Sequence, residues 1–162
     1  MMKVCKVGTS LKDLIHPVVY LGGTTYCNLW EEKASKYLRE KVERGTLLVS
    51  TREDNDKVSM EEYAEWNFYA IENSRVVSFW FPIPTIDASV SLELGRVLGR
   101  YCLGGGPQKV IVSFETGLQG THLVKEKINI LDKYLLKGEW KIRMEQRSLI
   151  EHCDLIIKSL SK

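Results

Sequence analysis

The sequence predicts a single-domain α/β fold, a parallel sheet of four to five strands with helices on both faces. Three observations carry this. Short apolar runs alternate with longer segments of helical periodicity from Val18 onward, the pattern of strand–helix–strand units joined by right-handed crossovers. The run Val76 to Phe81 (V-V-S-F-W-F) is followed by a polar loop and then a helical segment, as when a buried strand feeds a helix. The chain has 162 residues, 44% hydrophobic and 27% charged, which suits one globular domain with its own core.

Taken in order, Met2 to Val7 alternates weakly and suits an added edge strand. Pro17 punctuates, and Val18 to Leu21 is the first core strand. From Asn28 to Val42, Leu29, Ala34, Tyr37 and Leu38 share one helical face, and Gly45 marks the stop. Thr46 to Val49 is a second strand, followed by the polar stretch Thr51 to Lys57. Ser59 and Glu62 form a capping box, opening a helix to Glu72 whose Tyr63, Trp66, Ala70 and Ile71 turn inward. Val76 to Phe81 is the third strand, a helix runs from about Ser89 to Tyr101, and the glycine run Gly104 to Gly106 with Pro107 forms a loop. Lys109 to Phe114 is the fourth strand. Thr121 to Leu136 and Arg147 to Leu160 read as helices, with Trp140 to Met144 open between strand and helix. The core then spans about residues 18–114, with a helical C-terminal part over about 121–160.

Composition excludes several functions. The net charge is +2, from 23 basic and 21 acidic residues, without a block of like charges. A polymeric nucleic acid finds no electrostatic footprint here, so the expected partner is a small molecule. The apolar runs are too short to span a bilayer, and no membrane association is expected. Cys5, Cys27, Cys102 and Cys153 form no C-x-x-C pair, and no secretory signal opens the chain. Reduced thiols in a cytoplasmic protein are expected. His16, His122 and His152 lack ligand spacing, so neither a metal nor another cofactor is expected.

In such a sheet the loops after the first three core strands converge at the carboxyl edge, where open α/β sheets bind ligands. They contain Gly22-Gly23-Thr24-Thr25, Arg52-Glu53-Asp54, and Asp87 through Glu93. A glutamate in the first turn of a helix is held ionised by the dipole and the free N–H groups. Glu93 is therefore either a nucleophile for a sugar carbon or an acid that merely complements the dipole. Ser89 and Ser91 suit either hydrogen bonds to Glu93 or N-capping. Gly22 and Gly23 allow close backbone approach to sugar or phosphate, or simply a tight turn. Arg52 pairs with a 5′-phosphate or stays solvated. Trp80 and Phe81 suit stacking on a planar base, although strand alternation lets at most one of them face the cleft.

Val18 to Thr25 with Asn28 and Trp30, then Ser50-Thr51-Arg52-Glu53, Glu65-Trp66-Asn67 and Ser91 to Gly95, together resemble the nucleoside 2-deoxyribosyltransferase superfamily, in its deoxyribosyltransferase-like branch. The resemblance covers roughly Val18 to Ser113. It implies a flavodoxin-like or Rossmann-like sheet, a nucleoside or nucleoside monophosphate substrate, Glu93 as glycosyl acceptor, and Asp87 contacting sugar hydroxyl or base. It also implies a homo-oligomer, since relatives complete their sites with a neighbouring subunit. Asn67 stands where the branch usually has an acid, Ser50-Thr51 replaces Asn-Pro, and Arg75 replaces an Asp. An amide can bind a base edge but cannot protonate a leaving group. Two readings follow: an enzyme that cleaves or transfers an N-glycosidic bond, or a non-catalytic nucleotide-binding sensor on the same fold. A dinucleotide-processing domain of similar sheet would want a G-x-G-x-x-G after its first strand, which is lacking here.

Overall fold

A computed structural model describes residues 1–23, 30–50, 58–83, 88–103, 105, 109–118, 126 and 144–161 of the protein. The elements are β1 (Lys3–Lys6), β2 (Val18–Gly23), α1 (Trp30–Lys41), β3 (Thr46–Val49), α2 (Met60–Glu72), β4 (Val76–Phe81), α3 (Ala88–Cys102), β5 (Lys109–Glu115), β6 (Met144–Arg147) and α4 (Leu149–Leu160). The six strands form one sheet in the order β1-β3-β2-β4-β5-β6, and every pairing is parallel.

The central strands form because nearly every side chain can be buried. Val18–Gly23, Thr46–Val49 and Val76–Phe81 are buried at every position, as parallel strands covered on both faces require. Fully burying one such apolar side chain contributes about 1.5–3 kcal/mol, which outweighs strand-propensity differences of about 1 kcal/mol. Alternation divides them between two faces. Tyr20, Leu48, Val77, Phe79, Phe81, Val112 and Phe114 pack under α2 and α3. Val19, Leu21, Leu47, Val49, Trp80 and Ile111 pack under α1 and α4.

Two helix starts follow directly from sequence. Ser59 caps α2, with Glu62 N–H donating to its Oγ at 3.1 Å and its own N–H donating to Glu62 Oε2 at 2.7 Å. Ser59, by its backbone N–H first and its hydroxyl second, holds the Glu62 carboxyl below its usual pKa. Ser148 and Glu151 repeat the box on α4.

The sheet has six strands where four to five are expected. β1 is the weakly alternating N-terminal segment, paired at the edge with β3. β6 reads M-E-Q-R, with Met144 as its one apolar residue, so it is visible only through its pairing with β5. Arg147 accordingly ends β6 rather than opening a helix, and Ser148 caps the helix that follows. The expected helix Thr121 to Leu136 lies, Glu126 apart, outside the described residues.

β2 is the pivot. The chain passes from β2 through α1 to β3 on one side, then returns through α2 to β4 on the other. The carboxyl ends of β2 and β4 therefore flank the point where strand order reverses, the usual ligand crevice of a doubly wound sheet. Among the described residues, no helix is long and apolar enough to cross a membrane.

Candidate functional site

Tyr20 is the third residue of β2 and belongs to the α2/α3 face. Its ring leans toward the carboxyl edge over Gly22, where a Cβ would come within 2.7 Å of Tyr20 Cε1 and 2.9 Å of Phe79 Cε1. The Phe79 ring meets it edge-on, with centroids 6.3 Å apart. This brings the phenol oxygen to 3.2 Å from Glu93 Oε2 on α3 and 3.1 Å from Asn67 Oδ1 on α2. Three elements thus converge on one hydroxyl. Burial, then the nearby Glu93 charge, raises the Tyr20 pKa well above its ordinary value, so at neutral pH the phenol keeps its proton and donates it.

Glu93 lies in the second turn of α3, because the helix begins at Ala88. The dipole effect fades beyond the first turn. Among the described contacts, it is Tyr20 that holds the Glu93 carboxyl. The same early start places Ser89 and Ser91 inside the helix, where they do not cap it. Ser91 is exposed, and side chains two apart on a helix do not face each other. The Ser89 side chain lies outside the described residues.

Asn67 is buried, with 2% of its surface exposed, and its Nδ2 has no hydrogen-bond partner among the described residues. An unmet buried donor costs about 1–3 kcal/mol, so this amide is held beside Tyr20 and Glu93 at a cost to the fold. A half-turn of the amide would place Nδ2 on the Tyr20 oxygen and leave the phenol proton for Glu93 alone.

Sequence reading missed a second buried acid. Glu31, in the first turn of α1, shares the buried face of Ala34 and Leu38 and is 6% exposed. Its Oε1 lies 3.4 Å from the Ser50 hydroxyl, just past β3. Burial raises the Glu31 pKa to about 8, against smaller opposing effects from Ser50 and the Lys6 charge. The α1 N-terminus, worth about 0.3–1 kcal/mol to a carboxylate, offsets less than one pH unit of this rise at about 1.4 kcal/mol per unit. Glu31 is mainly protonated at pH 7. Ser50 also acts against the rise in the phenol's pKa. The available signals were an acid spaced three and seven residues before core positions, and a hydroxyl-bearing ring in an apolar strand.

Other expected residues are placed elsewhere. Trp80 faces α1 and α4, 2% exposed, with its ring centroid 5.2 Å from that of His152. Phe81 is the member of the pair on the Glu93 face, stacked on Phe114. Gly22 and Gly23 are filled around by the protein itself. At Gly23 a Cβ would lie 2.4 Å from the Trp80 carbonyl oxygen and 2.6 Å from the Trp30 ring. Close packing inside the chain accounts for both glycines. Thr24, Arg52 and Asp87 lie outside the described residues.

A separate polar cluster lies under α4. His152 is fully buried, with Nε2 2.6 Å from Ser78 Oγ on β4 and Nδ1 2.7 Å from Ser113 Oγ on β5. Arg147 donates to Ser113 at 3.3 Å and pairs with Glu145. Burial, assisted by the Arg147 charge, lowers the His152 pKa to about 3, so the ring is neutral. Ser78 belongs to the Trp80 side of the sheet, which separates this cluster from Glu93. Among the described residues, no group of three His, Cys, Asp or Glu is arranged to hold a metal ion.

In comparisons with known proteins, no family model and no curated sequence matches this chain.

Proposed function

We propose that the protein cleaves or transfers the N-glycosidic bond of a nucleoside or nucleoside 5′-monophosphate, with Glu93 as the attacking carboxylate. The observation that carries this reading is the Tyr20–Glu93 hydrogen bond beside the strand-order reversal. A glutamate fixed in one rotamer by a buried hydroxyl is ready for attack without a reorganisation cost. Glu93 oxygen bonds to C1′ as the C1′–N bond breaks and its electron pair leaves with the base, which takes up a proton from water; the proton lost by the incoming water or base in the second step returns to solvent. Water or the nitrogen of a second base then attacks C1′ and releases the Glu93 carboxylate, so configuration is retained overall. Substrate contacts from Asp87, Arg52 and Thr24 rest on the sequence resemblance. The setting is cytoplasmic, supported by the free, buried Cys5 and Cys153 thiols.

A second reading has its own support. Asn67, which cannot donate a proton to a leaving base, occupies the buried position beside Tyr20. That favours a nucleotide-binding sensor that does no chemistry. One experiment separates them: incubation with a panel of nucleosides and monophosphates, with and without an acceptor base, following free base by chromatography. Release or exchange of base supports the enzyme. Saturable binding without release supports the sensor.

A further inference from the structure

Tyr20 has one hydroxyl proton and two acceptors within reach of it, Glu93 Oε2 at 3.2 Å and Asn67 Oδ1 at 3.1 Å. On the same amide, Asn67 Nδ2 is a buried donor with no partner among the described residues. A surplus acceptor and an unmet donor, both on one side chain at one hydroxyl, have a common resolution. We propose that Asn67 presents Nδ2 rather than Oδ1 to the Tyr20 oxygen, so that the phenol's one proton is committed to the Glu93 carboxylate and Asn67 is a positioning residue for the attacking group.

Donor counting fixes the orientation. A phenol donates one hydrogen bond and can accept others, whereas a carboxylate only accepts. A bond to a charged acceptor is about twice as strong as one between neutral groups, so the carboxylate takes the phenol proton ahead of an amide oxygen. With that proton on the Glu93 side, an amide oxygen 3.1 Å from the phenol oxygen would face it lone pair to lone pair. An N–H in the same place makes a hydrogen bond instead. The two orientations fill the same space and differ by a half-turn of a planar amide. The atom left on the far side is then an acceptor, which buried sites tolerate unpaired more readily than a donor.

The surroundings agree. Asn67 shares the inward face of α2 with Tyr63, Ala70 and Ile71, where an apolar side chain is the ordinary occupant, and Tyr20 beside it is fully buried. Among the described residues, the titratable groups that act on the phenol are Glu93 of α3 and Tyr63 of α2. An acid at position 67 would contest the phenol proton and set a second charge beside Glu93; the amide supplies a donor and no charge. Hydrogen bonds in series polarise one another, so Tyr20 donates more strongly to Glu93 while it accepts from Asn67. The effect is largest when C1′ leaves the Glu93 oxygen and the electron pair of the C–O bond returns to the carboxylate. The inference rests on the glycosidic reading only for this consequence in turnover.

The test is NMR of the whole protein without substrate, labelled with 15N at asparagine and 13C at the glutamate carboxyls. The Asn67 side-chain amide protons, identified by their loss in Asn67→Asp, should include one that the phenol holds downfield and that moves upfield in Tyr20→Phe. The Glu93 carboxyl, identified by its loss in Glu93→Gln, should titrate about 1–2 pH units higher in Tyr20→Phe, the range of one hydrogen bond to a charged group. In Asn67→Leu it should also titrate higher, by about a tenth to a third of that step, because the phenol loses the donor behind it. With Oδ1 facing the phenol, the same variant would remove a competitor for the proton and Glu93 would titrate lower. Amide protons unmoved in Tyr20→Phe, or a Glu93 titration unchanged or lowered in Asn67→Leu, overturns the proposal; the first result stands even where Asn67→Leu fails to fold. Base release by the wild type keeps the two ideas apart. The expected spectra without release leave Asn67 in its role and remove the glycosidic reading, and release with unmoved amide protons removes the proposal alone. Where base is released, Asn67→Asp should release it about tenfold more slowly, the worth of one hydrogen bond to a charged group. Faster release would make position 67 an acid site and overturn the proposal.

Discussion

The Tyr20 phenol oxygen lies 3.2 Å from Glu93 Oε2, and this contact ties the central strand β2 to the side chain at the second turn of α3. The strand supplies rigidity and the helix supplies the acid. Neither alone would place a carboxylate at the crevice between β2 and β4.

Replacing Glu93 by Gln should abolish nearly all base release while the fold and nucleoside binding persist, since an amide cannot form the glycosyl ester. Tyr20→Phe should retain activity at about 10–100-fold lower kcat, the loss of one hydrogen bond to a charged group. A 2′-fluoro-2′-deoxynucleoside accepted by the wild type should leave a glycosyl adduct on Glu93, detectable by peptide mass. Wild-type turnover in Glu93→Gln would remove the nucleophile from the mechanism.

Gly22→Ala should damage the site through the protein's own packing. The new methyl would meet the rings of Tyr20 and Phe79 at 2.7 and 2.9 Å, so a ring must shift, at about 1–3 kcal/mol in stability. The Tyr20 hydroxyl should move off Glu93, and base release should fall as in the Tyr20→Phe variant. Gly23→Ala meets a backbone oxygen, which cannot swing aside, and should destabilise more. Denaturant midpoints of the two variants rank them, and a Gly22→Ala protein with wild-type midpoint and base release would refute the packing account.

Much of this arrangement is written in local sequence. Val76–Phe81 and Thr46–Val49 declare themselves because parallel strands buried on both faces are apolar at successive positions. The Ser59–Glu62 box declares α2 because both partners lie within four residues. The M-E-Q-R strand does not, since an edge strand owes its order to its neighbour β5. In the site, the helix that carries Glu93 is legible, but its start at Ala88, which puts Glu93 in the second turn rather than the first, and the phenol that touches Glu93 are not. Tyr20 is 73 residues away in sequence, and nothing local distinguishes a phenol with a partner from one that fills core. Trp80 shows the complementary limit: alternation says that Trp80 and Phe81 face opposite ways, and only the packed helices decide which faces Glu93.

Glu31 should make stability fall as pH rises. Its folded pKa of about 8 lies above the ordinary 4.5, so the folded state keeps a proton that the unfolded chain releases. The stabilisation is complete below pH 4.5 and is lost as pH rises toward 8, at up to about 1.4 kcal/mol per pH unit for this group. Glu31→Gln should flatten that limb and unfold at higher urea than wild type at pH 8. Parallel stability–pH curves for the two proteins would contradict the buried, neutral acid.

The exposed face of α2 should be covered in solution. Phe68 and Tyr69 are 45% and 57% exposed and meet edge-on at 5.5 Å, and Arg96 of α3 lies over the Phe68 ring at 4.3 Å. Aromatic and arginine side chains are enriched at protein interfaces. Light scattering should give a multiple of the 18.6 kDa chain mass, and Phe68→Glu with Tyr69→Glu should lower it. A monomer at micromolar concentration would refute the homo-oligomer.

His152 should set the acid limit of the fold. The ring is buried between Ser78 and Ser113 with its pKa lowered to about 3, against an ordinary 6.5. Above pH 6.5 both folded and unfolded states hold it neutral, and its contribution is constant. Between pH 6.5 and 3 the unfolded chain takes up a proton that the folded state refuses, so stability falls as pH falls, by up to about 1.4 kcal/mol per unit from this one group. His152→Gln removes the titration but leaves at least one serine hydroxyl poorly paired, at about 1–3 kcal/mol. It should therefore be less stable than wild type at pH 7.5 and lose less on going to pH 4. Urea titrations of both proteins across that range decide the matter: an acid limb as steep in His152→Gln as in wild type would assign the loss to other groups.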